Sequence, residues 1–218
     1  DHRDLHSSPT RRSSDLARPE AYDYALAAEL LVQGGGISSL GGFEYFAPAV
    51  RSSNYNVRFA DGLAPLHFAS RAGHAGFVEL VLRRGGEVDA KNASGTTALH
   101  EAARSGRIEV MRLLLASGAS ANARDAKGNS ALHIVMPLET RKAGIDLLLG
   151  AGANPNIKDD HGDTALHIAV SLNLGLDLAR ALLAGGVDVS IRNTEGKTPL
   201  HRAVETGRRD YIPLLLEY

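Results

Sequence analysis

Apolar and polar residues follow one another in blocks that recur at a regular interval through most of the chain. Each block opens with a short phrase that ends in histidine: Ala64–His67, Thr97–His100, Ser130–His133, Thr164–His167 and Thr198–His201. About a dozen residues later comes an aliphatic triplet such as Leu113–Leu115, and a polar stretch follows. The positions of the five histidines show that the interval is nearly constant. A constant period of a few tens of residues is typical of a stacked repeat array.

Each period predicts two short helices. In the second full unit, Thr97 is a suitable N-cap for a first helix that ends at Ser105-Gly106. A second helix is predicted over 108–117, where the apolar side chains cluster, and Gly118 gives a stop signal. One such helix pair cannot bury its own apolar face, so neighbouring pairs have to stack into a continuous core.

The third and fourth units depart from this pattern. Met136-Pro137 falls inside the predicted first helix of the third unit. Proline there removes a main-chain hydrogen bond and clashes with the preceding turn. We therefore expect a shortened or kinked helix and a local weak point in the stack. The fourth unit carries an extra residue near 173–175.

Bulk composition excludes several classes of function. The formal net charge is −1, which is not the footprint of a dedicated nucleic-acid binder. The chain has no cysteine, so it has no disulfide, thiolate zinc site or cysteine nucleophile. No apolar run approaches the ~20 residues that a membrane span needs. We expect neither a nucleic-acid nor a membrane partner.

Three motifs resemble ligand sites, but the repeat register accounts for each. Histidines on helices ~8–10 Å apart cannot share one metal ion, so each is expected to hydrogen-bond locally. The loop at 159–163 resembles a calcium loop, yet Val170 stands where a bidentate glutamate is required. Gly196-Lys197-Thr198 lacks the first glycine of a phosphate loop. We therefore expect no enzyme activity, cofactor or metal.

The phrase Thr-Pro/Ala-Leu-His, the glycines around it, the Leu-Leu-Leu triplet and the Gly-Ala that follows closely resemble the ankyrin repeat. The resemblance covers about 56–218 as five repeats, with a partial repeat at about 17–36. It implies an all-α solenoid of stacked helix–turn–helix units with β-hairpin-like loops. The predicted repeats are about 61–93, 94–126, 127–160, 161–194 and 195–218.

The two ends of the chain carry their own expectations. Residues 6–16 resemble the translation of a common sequencing-adapter oligonucleotide, so 1–16 is expected to be an artefactual or disordered tail without packed contacts. Leu30-Leu31-Val32 resembles an aliphatic triplet, which predicts the second helix of a partial repeat over 17–36. The last helix is as apolar as the internal ones, so we expect a fragment of a longer protein. A native polar tail remains the alternative for 1–16.

Residues 37–60 form a long insert before the first full repeat. The insert contains five of the eleven aromatic residues: Phe43, Tyr45, Phe46, Tyr55 and Phe59. Because disordered segments contain few aromatic residues, we expect the insert to pack on something. The favoured interpretation is that it shields the flank of the first repeat. The alternative is that its rings are anchors for a partner, since aromatic residues are enriched in binding hot spots.

The ankyrin resemblance implies a non-enzymatic scaffold that binds another protein through its loop tips and the concave face of its first helices. On this sequence the candidate tips are Arg58, Lys91, Thr96, Arg124, Asn129, Lys158, Asp160, Asp163, Arg192 and Lys197. The candidate helix positions are Arg71, Glu101, Arg104, Ser171, Arg202 and Glu205. A regulatory segment of a larger enzyme or channel is the alternative function, and a purely structural spacer is a third. We expect an intracellular monomer, cytoplasmic or nuclear.

Five of these candidates are cations at the same position of successive loops: Arg58, Lys91, Arg124, Lys158 and Arg192. One interpretation is a ladder of positive charge for an acidic partner. The favoured interpretation is that basic residues are simply usual at this position in the family. Nearby acidic residues also interrupt the positive field.

Overall fold

The computed structural model describes residues 55–58, 60–134 and 138–218. The regular structure in these ranges is helical, without strands, so the predicted all-α class is confirmed. Short 3-10 turns lie at Ala60–Gly62 and Ala131–His133. The α-helices are α1 (Pro65–Ala72), α2 (Ala75–Arg83), α3 (Ala98–Arg104), α4 (Ile108–Ala116), α5 (Leu138–Gly150), α6 (Ala165–Ser171), α7 (Leu176–Ala184), α8 (Pro199–Glu205) and α9 (Tyr211–Leu216).

The helices stack in two layers, as expected of a solenoid. The first helices of the repeats form one layer, in which α1 packs on α3 and α6 packs on α8. The second helices form the other layer, in which α2, α4, α5 and α7 contact one another in sequence. Alanines at the same position of each first helix, among them Ala69, Ala102 and Ala169, are fully buried and let neighbouring helices approach closely.

The histidine phrase builds the start of each first helix. In α3, the Thr97 amide donates to His100 Nδ1 at 3.2 Å, and the Thr97 hydroxyl lies 2.9 Å from the same atom. Because Nδ1 accepts the amide, the proton of the neutral ring is on Nε2, which donates to the Asn129 carbonyl at 3.1 Å. The predicted local hydrogen bond is confirmed. The bond to the next repeat was not predicted, and it recurs at His67, His133 and His167.

The turn glycines are required by contacts between loops. Gly95 has a φ of 71°, a left-handed conformation that favours glycine. A Cβ atom on Gly95 would lie 2.7 Å from the main-chain nitrogen of Ala126 in the next loop. This close approach lets the Ala126 amide donate to the Ser94 carbonyl at 2.9 Å. Successive loops are therefore tied together through their main chains.

In the described residues of the third repeat, the first helix is reduced to a short turn, which confirms the predicted shortening. Its phrase forms only the 3-10 turn Ala131–His133, and Ile134 is extended, with φ −71° and ψ 126°. The second helix, α5, begins at Leu138 and is 13 residues long. Met136 and Pro137, on which the prediction rested, lie outside the described residues.

The extra residue of the fourth repeat lies in the turn between α6 and α7. Asn173 adopts a left-handed conformation there, with a φ of 54°. A side chain of the next repeat stabilises the turn, because the Gly175 amide donates to the Tyr211 hydroxyl at 2.8 Å. The same hydroxyl donates to the Ala169 carbonyl at 3.4 Å.

Several predictions concern residues outside the described ranges. These are the tail at 1–16, the partial repeat at 17–36 and most of the insert, including Phe43, Tyr45, Phe46 and Phe59. Tyr55 near the end of the insert is described, and its side chain is buried against the core of the first repeat. The position of Tyr55 supports the interpretation that this part of the insert packs on the array.

Candidate functional site

An open cleft of about 950 Å³ lies on the side of the array where the first helices meet the loops. It extends over the first three repeats, and we call it the concave cleft. Its walls come from the loops near Asp61, Asn92 and Asp125, and its floor comes from α1, α3 and the 3-10 turn of the third repeat. Of the predicted candidates, it contains Arg71, Thr96, Glu101, Arg104 and Asn129.

The loops beside the cleft are held by a repeated side-chain cap. The side-chain oxygen of Asp125 accepts hydrogen bonds from the Lys127 and Asn129 amides, both at 2.8 Å. Asn92, Asp159 and Asn193 accept the amides two and four residues on in the same way. The Asp159 loop is thus one of a series of turns, which supports its interpretation as a turn and not a calcium site.

Burial and hydrogen bonding act in opposite directions on the Asp125 carboxyl. Burial alone would raise its pKa, but the hydrogen bonds from Asn129 and the Lys127 amide hold the pKa below its usual value. The carboxylate is therefore charged at neutral pH, and its oxygens are already used within the loop.

The floor of the cleft contains a buried carboxylate. Glu101 is 4% exposed and accepts a hydrogen bond from Arg71 Nε of the preceding repeat at 3.0 Å. The Thr96 hydroxyl donates to the other carboxylate oxygen at 3.4 Å. Burying a charge in this way is tolerated only because it is paired. Arg71 and Glu101, both predicted as binding residues, thus bind each other.

The next repeat has no equivalent of this ion pair. Arg104 occupies in α3 the position that Arg71 occupies in α1. Ile134 occupies the position that Glu101 has one repeat earlier, so this position supplies no carboxylate to pair with Arg104. The Arg104 side chain is exposed and makes no ion pair within the described ranges.

Lys127 and Ile134 line the cleft but were not among the predicted candidates. Lys127 is an exposed loop tip, equivalent to Ser94 in the preceding repeat, and Ile134 is half-buried. Aligning the repeats by their histidines could have found both, because each differs in charge from its counterpart one repeat earlier.

Charged side chains of the last two repeats pair with one another in an ion network. Lys197 Nζ contacts Glu195 at 2.7 Å and also Glu205. Arg202 contacts Asp163 at 3.7 Å and Glu195 at 3.3 Å. The hydrogen bonds that Lys197 donates to the two glutamates raise the pKa of Lys197, and the bond it donates to Glu195 lowers the pKa of Glu195. Four predicted candidates, Asp163, Lys197, Arg202 and Glu205, are therefore joined in one network of ion pairs. Glu195, which was not predicted, pairs with both cations.

Most of the loop cations brace the loops. Arg58 donates to the Lys91 carbonyl at 3.2 Å, Lys91 to the Arg124 carbonyl at 2.8 Å, and Arg124 to the Lys158 carbonyl at 3.0 Å. Each cation thus binds the main chain of the equivalent residue one repeat later. Arg192 donates to Gly196 within its own loop. These contacts support a structural role for the column.

The remaining candidates are separate from these clusters. The Lys158 side chain is exposed and unpaired within the described part of the chain. The Asp160 carboxylate lies 4.0 Å from Arg124, and Ser171 is half-buried at the end of α6. The described residues contain no group of three or more His, Asp or Glu side chains placed to hold a metal ion. Among them, no helix has the length and apolar character to cross a bilayer.

Comparison with known families agrees with this geometry. A family model for ankyrin repeats in three copies matches residues 23–125 and 132–218. The chain belongs to the ankyrin repeat family. Ankyrin repeats are generally protein–protein interaction modules, and the family is typically non-catalytic. No curated protein matches the chain.

Proposed function

We propose that this ankyrin repeat protein is a non-enzymatic scaffold that binds another protein in its concave cleft. One observation carries the proposal: a cleft opens over the first three repeats, and its Arg104 and Lys127 make no ion pair among the described residues. Over the last two repeats, the charged side chains instead pair with one another. An open, partly apolar cleft with unpaired polar groups is the usual form of a binding site.

The contacts divide the candidate residues by role. Arg104, Thr96 and Asn129 border open space in the cleft. Lys91 and Arg124 are used in bonds between loops, so replacing them would weaken the array itself. The scaffold is expected to bind as a rigid unit, because its loops and helices are tied to their neighbours at each step.

Site-specific photo-cross-linking tests this function. Benzoyl-phenylalanine would replace Ser94, an exposed tip in the cleft, or Arg112, an exposed residue of α4 outside the cleft. Both proteins would be irradiated in extracts of cells that produce the chain. We expect one partner protein to cross-link at Ser94 and not at Arg112, and the purified partner to bind the unmodified chain.

Two outcomes would contradict the proposal. Cross-links at Arg112 alone would place the partner on the other layer of helices. No partner at Ser94, together with a measurable chemical turnover by the purified chain, would replace the scaffold with an enzyme.

A further inference from the structure

Resting on the proposed function, we infer that the concave cleft binds an acidic peptide segment that also carries an aliphatic side chain. An acidic side chain of the partner pairs with Arg104 and Lys127, and the aliphatic side chain packs on Ile134. The inference deepens the scaffold proposal, because it states the chemistry of the partner.

The repeat register supplies the first argument. Arg71 of the first repeat is satisfied by Glu101 of the second repeat, at 3.0 Å. Arg104 is the same residue one repeat later, but the chain places Ile134 where the carboxylate would be. A carboxylate from a partner would restore the missing pair. Arginine favours this role because its guanidinium binds a carboxylate with two parallel hydrogen bonds.

The shortened third repeat supplies the second argument. Elsewhere the first helix continues for seven or eight residues, as in α1, α3 and α6. In the third repeat the helical turn stops at His133, and Ile134 is extended and half-buried at the edge of the cleft. An apolar side chain of a partner can therefore pack on Ile134 beside the Arg104 pair.

The other charged side chains of the cleft also favour binding of the acidic group at the third-repeat end, beside Arg104. Lys127 lies on the third-repeat wall and is exposed, without an ion pair in the described residues. The Asp125 carboxylate is occupied by its own loop, and Glu101 is buried with Arg71. Asp61 is exposed on the first-repeat wall, so the first-repeat end disfavours an acidic group. The bound segment is thus oriented, with its acidic residue towards the third repeat.

Selection from a random twelve-residue peptide library displayed on phage tests the inference, with the full chain as the target. Enriched peptides would be synthesised and their dissociation constants measured for the wild type and for R104E/K127E. The matched control is R180E/R209E, which makes the same change in net charge at exposed residues outside the cleft. Ile134→Ala tests the apolar contact. Circular dichroism would establish that every variant is folded.

We expect the enriched peptides to contain Asp or Glu near Leu, Ile or Val. Their affinity should fall at least tenfold in R104E/K127E, fall severalfold in Ile134→Ala and stay within twofold in the control. Peptides without an acidic residue that still lose binding in the cleft variants would overturn the inference and leave the scaffold function standing. Peptides whose binding no cleft variant alters would contradict both. Failure to enrich any peptide would overturn the inference.

Discussion

At the scale of single residues, the motif histidines are connectors between repeats. His67, His100, His133 and His167 accept a main-chain amide at Nδ1 and donate from Nε2 to a carbonyl of the next repeat. Both bonds require the neutral ring with its proton on Nε2. Burial is the main cause that lowers the pKa of each of these four rings.

This protonation state predicts that stability falls in mild acid. Because the pKa of each histidine is lower in the folded state, the unfolded chain takes up protons first as the pH falls. The contribution to stability is complete above the unfolded pKa of about 6.5 and is lost as the pH falls from there towards the folded values. Urea midpoints at pH 7.5 and 5.5 measure this loss. Midpoints that are equal or higher at pH 5.5 would contradict it.

Tyr211 offers a second test at this scale. Tyr211→Phe removes the hydroxyl that accepts from the Gly175 amide and donates to the Ala169 carbonyl. We expect the free energy of unfolding to fall by about 1–3 kcal/mol, because the Gly175 amide loses its acceptor, whereas the Ala169 carbonyl still accepts from the Leu174 amide. Tyr218→Phe is the matched control, since Tyr218 is 63% exposed. Chemical denaturation that shows equal effects for the two variants would contradict this account.

At the scale of elements, the third repeat is the irregular part of the stack. Its phrase forms a 3-10 turn where its neighbours form helices, and its described main-chain bonds span three residues, as from His133 to Ser130. In the fourth repeat, the Ile168 amide instead bonds Thr164, four residues earlier. A single turn followed by an extended residue has less cooperative protection than a helix.

Hydrogen exchange should show this difference. We expect the His133 and Ile134 amides to exchange at least tenfold faster than the equivalent amides of His167 and Ile168, because local opening costs less in the third repeat. Nuclear magnetic resonance at neutral pH can measure all four rates in the same sample. Equal protection of the two repeats would show that the third repeat is not a weak point.

The loop braces predict a second difference between elements. Arg124 donates to the Gly128 and Lys158 carbonyls, whereas the Lys158 side chain has no such bond within the described ranges. Arg124→Ala should therefore lower the unfolding free energy by about 1 kcal/mol. Lys158→Ala, at the same loop position, should leave it nearly unchanged. A larger effect at Lys158 in thermal or urea denaturation would refute the brace.

The repeat period was enough to predict the class, the stack and, in the second full repeat, the helix boundaries to within about two residues. The second helix predicted over 108–117 is α4, Ile108–Ala116. Local signals could not predict which charged residues pair, because those pairs join residues of different repeats. Arg71 and Glu101 were thus expected to face a partner, and they face each other. Ile134 is recognised as a candidate only when the second and third repeats are aligned, because it then stands at the position of Glu101. Its neighbours in the sequence give no such signal.

At the scale of the whole described array, the concave face has two unlike halves. In the half nearer the C terminus, Lys197 and Arg202 pair with the carboxylates around them. The other half is the open cleft, where Arg104 has no counter-ion among the described residues and Ile134 lies at the edge of a shortened turn. This asymmetry supports the proposal that a partner binds over the first three repeats.

A charge-swap cycle tests the central claim most directly. Isothermal titration would compare the wild type and Arg104→Glu, each with a selected acidic peptide and with the same peptide after replacement of its acidic residue by lysine. The account predicts that Arg104→Glu lowers the affinity for the acidic peptide at least tenfold. It also predicts that the lysine peptide binds Arg104→Glu with most of the lost affinity restored. Equal weakening of both peptides by Arg104→Glu would contradict the pairing of Arg104 with the acidic residue.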